Sequence, residues 1–111
     1  MTMYVHLLAS AFDDWVDGLI GEALVDYTVV CRAEMLASQS SVHHHKGESA
    51  YIALATEVAY DRALLKLCTA CGIEASTQGF SHPSDERLRL ERELVGMGVD
   101  LMAPVRDGEM P

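Results

Sequence analysis

The sequence predicts an all-α protein: a small antiparallel bundle of three main helices at about 10–38, 48–71 and 83–97, with a long first helix and a short irregular tail. Three observations carry this. Apolar residues recur at steps of three and four in all three segments. The apolar complement is mostly Leu, Ala, Val and Met, with aromatics at only 6% of 111 residues, which suits helix packing better than a β-sandwich. Gly72 and Gly98 each close a periodic run and precede one aliphatic residue, the pattern of a helix stopped by a left-handed C′ position.

The first segment opens at Ser10, a fair N-cap with Asp13 at the third helical position. Asp13, Asp14 and Asp17 then lie where negative charge suits the helix dipole. Leu8, Phe12, Trp15, Leu19, Ala23, Tyr27, Val30 and Cys31 make one apolar row, and Val16, Ile20, Leu24 and Met35 lie beside it. So broad a stripe on so short a chain predicts a partner. Gly18 and Gly21 weaken the interior by roughly 1 kcal/mol each against Ala. They also open an alternative, a break followed by a β-strand over 24–31, a stretch rich in β-branched residues.

Ser38 to Ser41 end this segment, and a linker carries His43, His44 and His45. The second helix presents Tyr51, Leu54, Ala55, Val58, Leu65 and Cys68, flanked by Ile52, Ala59, Ala63 and Leu67. It stops at Gly72 with Ile73 as the hydrophobic C″ contact. Residues 74–82 form a polar loop with Phe80 as lone anchor. Ser81 or Ser84 caps the third helix, whose first turn tolerates Pro83. Leu88, Leu90, Leu94, Val95 and Met97 supply its apolar side. Arg87, Arg89 and Arg92 are interleaved with Glu86, Glu91 and Glu93, and the four-residue spacings Asp85–Arg89, Arg87–Glu91 and Arg89–Glu93 read as a solvated face of ion pairs. The chain is thus expected to form one helical domain over 1–103, with 104–111 a frayed tail.

Half the residues are apolar and the net charge is −9, so a disordered chain is excluded and direct binding to nucleic-acid phosphates is disfavoured. No apolar run reaches the roughly eighteen residues a bilayer demands. No Lys or Arg precedes the first apolar stretch, so no secretory signal is expected and the predicted location is cytoplasmic. Three cysteines are then expected as reduced thiols.

Chemistry is sparsely signed. Asp13-Asp14-x-x-Asp17 resembles the Mg²⁺–diphosphate motif of all-α prenyltransferases and terpene cyclases, but this chain has neither their length nor their second acidic motif. Small all-α nucleotide pyrophosphohydrolases are similar in size and dimeric habit, and hold Mg²⁺ through carboxylates three apart. Here Glu22 and Asp26, and Glu57 and Asp61, stand four apart. Each pair shares a helix face and calls for a cation. Cys68-Thr69-Ala70-Cys71 has zinc-like spacing that His43 and His45 would complete, yet the cysteines sit in the last turns of an amphipathic helix. That position also opposes thiolate formation, so redox catalysis is not expected.

The leading expectation is a non-enzymatic, acidic, helical interaction protein, adaptor- or inhibitor-like, with no cofactor. It is expected to be homodimeric through Trp15, Leu19, Ile20 and Leu24 of the first helix. Asp13, Asp17, Glu22 and Asp26 form an acidic strip for a protein partner. The alternatives are a small Mg²⁺- or Mn²⁺-dependent phosphohydrolase and a Zn²⁺-stabilised module built on Cys68, Cys71, His43 and His45.

Overall fold

The predicted first helix is not one rod. The computed structural model describes residues 3–10, 18–41 and 48–101, without the side chains of residues 10, 40, 41 and 48–51. In it α1 covers Met3–Ser10 and α2 covers Gly21–Ser41. Ser10, expected to open the long helix, ends the short one. Gly21 takes φ +59°, a left-handed value that glycine adopts without penalty, so α2 starts afresh there. The break considered at the glycines is therefore real, but helix follows it, not strand. Tertiary packing of one face overrides the β-branched content of 24–31. The three-helix scheme gives way to four helices among the described residues.

The later elements follow local signals more closely. α3 runs Glu48–Ala70, a 3₁₀ turn covers Thr77–Ser81 and α4 covers Pro83–Gly96. Gly72 and Gly98 take φ +82° and +90°. The Ile73 N–H donates to the Cys68 carbonyl at 2.8 Å, and the Val99 N–H to the Leu94 carbonyl at 2.8 Å, closing both helices as glycine-centred caps. The α4 N-cap is His82, with Pro83 in the first turn. Ser81, a candidate cap, donates instead to the Gln78 carbonyl within the 3₁₀ turn.

α2 and α3 form the principal helix pair. α2 buries Leu24, Thr28, Cys31 and Met35, one narrow row at steps of four, three and four. The buried Thr28 hydroxyl is satisfied by the Leu24 carbonyl at 2.7 Å. Facing this row, α3 supplies Tyr60, Ala63, Leu64, Leu67 and Cys68, while α1 adds Val5 and Leu8, the 3₁₀ turn Phe80, and α4 Leu90 and Leu94. Each such leucine contributes roughly 1.5–3 kcal/mol. Val30, expected on the dry side of the first helix, is exposed, so the covered stripe is narrower than its sequence suggested. Among the described residues no helix is long and apolar enough to cross a membrane.

Candidate functional site

Polar side chains inside a small helical core must be paired, because burying a bare charge costs several kcal/mol. Here Asp61, Arg87 and Glu91 are buried, and two charge networks account for all three. In the first, Arg87 of α4 grips Asp61 of α3 in a two-bond fork, Nε to Oδ1 at 2.7 Å and Nη2 to Oδ2 at 2.6 Å. The same Nη2 donates to Glu57 Oε2 at 2.8 Å. From α1 the Tyr4 hydroxyl donates to Asp61 Oδ2, so three helices meet at one carboxylate.

In the second network Glu91 of α4 accepts from the Tyr60 hydroxyl of α3 at 2.5 Å and from Arg32 Nε of α2 at 3.0 Å. Arg87 and Glu91 stand one helical turn apart, so α4 is fastened at consecutive turns by charges of opposite sign. The expected solvated face of ion pairs is corrected here. Only Arg89 behaves that way, bound to Glu86 at 2.6 Å and near Glu93 at 3.9 Å. Arg87 and Glu91 turn inward because α3 and α2 offer partners that water would otherwise replace.

Electrostatics follow the geometry. Burial pushes the Asp61 carboxyl above its usual range, with Arg87 and Tyr4 pulling against it. Burial works to lower Arg87, but Asp61 and Glu57 override it and hold the guanidinium above its ordinary value. The Tyr4 and Tyr60 hydroxyls are both raised, by burial first and by the adjacent carboxylates second. Each therefore stays a donor throughout the physiological range.

This arrangement answers the metal reading of Glu57 and Asp61. The pair does face a common cation, and the cation is the guanidinium of Arg87. Its fork occupies both Asp61 oxygens and reaches Glu57, leaving the pair without the open, hydrated position that Mg²⁺ needs. Cys68 is buried in the core cluster and Cys71 half-buried. Burial also pushes the Cys68 thiol up to about 12. Both cysteines lie where packing, not a loop clamp, uses them; His43 and His45 fall outside the described residues.

The remaining predicted site residues are dispersed. Glu22 and Asp26 are exposed one turn apart on α2, whereas Asp13 and Asp17 lie outside the described residues. Of the predicted dimer residues, Trp15 is likewise outside them, Leu19 is half-buried and Ile20 is 78% exposed. Leu24 is 1% exposed and belongs to the chain's own core, so it is removed from any interface. Burial on the α3 side of α2 claims it first.

α4 supplies the feature that sequence reading missed. It buries Arg87 and Glu91 yet leaves Leu88 and Val95 45% and 51% exposed. Beside this face runs an open groove of about 690 Å³ lined by Asp85, Leu88, Arg89, Arg92, Glu93, Gly96 and Met97. The signal was present in the spacing, since Leu88 and Val95 are seven apart and off the Leu90–Leu94 row. No protein-family model matches the chain, and no curated protein or solved structure matches it either.

Proposed function

We infer that this chain is a non-enzymatic, all-helical interaction protein that acts as a homodimer and offers its acidic helical surface to a further protein. The supporting observation is the inverted burial of α4: two charged side chains face inward while Leu88 and Val95 face out. Leaving these aliphatic groups in water is unfavourable by roughly 25 cal/mol per Å², and a covered outer face removes that cost. The buried carboxylates are engaged by Arg87, Arg32 and tyrosine hydroxyls, so they serve to hold helices together. Exposed Glu22 and Asp26, with the net charge of −9, favour a basic protein surface over a phosphate backbone.

Sedimentation equilibrium of the full chain over low to high micromolar concentration tests this reading. A monomer–dimer equilibrium in that range is expected. A compact monomer at every concentration would contradict it.

A further inference from the structure

We propose that the second copy docks on α4, two α4 helices packing antiparallel about a two-fold axis near Leu88, with Asp85 of each copy paired to Arg92 of the other. The proposal rests on the homodimer reading above and names its surface. Asp85, Leu88, Arg92 and Val95 step by three, four and three along α4, the spacing of a helix–helix seam. All four are exposed. Neither Asp85 nor Arg92 has an ion-pair partner among the described residues, although Arg89 between them is engaged by Glu86 and Glu93.

The charge order makes this face self-complementary. Asp85 and Arg92 are seven residues apart, about 10 Å along the axis. Turning a second α4 end for end about an axis beside Leu88 places its Arg92 opposite Asp85 of the first. The two-fold axis then repeats the pair. A parallel arrangement sets like charges against each other instead. The two Leu88 side chains then meet near the axis, and each Val95 lies opposite the first turn of the other α4. Met97 and Gly96 border the groove, and a Cβ at Gly96 would meet nothing within 4 Å, so a neighbouring helix has room to approach. At 14 residues, α4 makes a contact at the small end of protein interfaces.

Charge exchange tests the seam. Asp85→Arg and Arg92→Asp each place like charges opposite one another twice, and each is expected to raise the dimer Kd at least tenfold. The double variant D85R/R92D, and equally a 1:1 mixture of the two single variants, restores both pairs and is expected to recover dimerisation. Both substitutions lie on exposed side chains, and far-ultraviolet circular dichroism with thermal melting checks that the fold persists. A dimer that ignores every substitution overturns the seam while leaving self-association standing elsewhere. A wild-type chain that is monomeric throughout overturns both the seam and the homodimer reading. Loss in the single variants without recovery in the double or the mixture also overturns it.

Discussion

α2 and α4 solve the same packing problem in opposite ways. α2 lays one row of neutral side chains, Leu24, Thr28, Cys31 and Met35, against α3 and keeps Glu22, Asp26 and Glu34 in water. α4 buries Leu90 and Leu94 but frames them with Arg87 and Glu91, and sends Leu88 and Val95 outward. An apolar row tolerates sliding by a turn, because neighbouring aliphatic groups are nearly equivalent. A row carrying one buried cation and one buried anion does not, because a slip leaves both charges unpaired in a dry seam. Charge thus fixes the register of α4 and with it the direction in which its outer face points.

The largest way to break the contrast is to remove one charge from the α4 seam. Arg87→Met strands Asp61 beside Glu57 without their cation and should cost about 3–5 kcal/mol, measured by urea unfolding. On α2, exchanging Cys31 for Ala removes only a small neutral group and should cost clearly less. A loss of less than 1 kcal/mol for Arg87→Met would show that the seam is indifferent to its ions.

Next in size is Tyr60→Phe, which deletes the hydroxyl that donates to the buried Glu91. Hydrogen bonds to charged groups contribute about 1.5–3 kcal/mol, and that loss is expected in the same unfolding measurement. Tyr4→Phe removes the corresponding donor to Asp61. Hydrogen exchange should then show α1 opening before α2 and α3.

Alkali sharpens the comparison from the side of the neutral core. Burial pushes the Cys68 thiol from an ordinary 9.0 up to about 12. An acid group whose folded value is raised ionises first in the unfolded chain. Its stabilising contribution is therefore complete below pH 9 and lost as pH climbs toward 12. Tyr4 and Tyr60 act in the same direction from their ordinary value of 10.0 upward. Urea midpoints should fall steadily from pH 9, and Cys68→Ala should flatten the fall between pH 9 and 10. Thiol reagents should label half-buried Cys71 before buried Cys31 and Cys68.

The smallest expected effects concern two glycines. Gly72 sits at φ +82°, so Gly72→Ala should destabilise by about 1 kcal/mol. Gly96 lies in α4 with open space at its Cβ position, so Gly96→Ala should stabilise the free monomer by about 0.5–1 kcal/mol. Equal signs for the two would contradict the assigned backbone conformations.

What could be read beforehand was the information held locally. Gly72–Ile73 and Gly98–Val99 announce helix ends because the left-handed cap needs only neighbouring residues, and Phe80 stands out as the lone aromatic of a polar loop. The break before α2 was visible as an option at Gly18 and Gly21, but choosing it depends on what α1 packs against. The polar seam is half legible: the Glu57–Asp61 spacing calls for a shared cation, with a metal ion as one alternative and not the leading expectation. That Arg87 fills the role depends on how α4 lies across α3, which spacing along α4 cannot reveal. Its i,i+4 relation to Glu91 is the same for a solvated pair as for two buried fasteners. Leu24 was misassigned for a similar reason. Apolar residues on a helix look alike until the monomer's core has claimed its share.

Coverage of the outward aliphatic face of α4 in solution is the most direct quantity to measure. Methyl NMR with a soluble nitroxide, at low and at high protein concentration, reads that coverage residue by residue. Leu88 and Val95 should be strongly relaxed when dilute and protected when concentrated, while exposed Leu7 and Ile52 stay relaxed throughout. Equal relaxation of Leu88 and Val95 at both concentrations would contradict it.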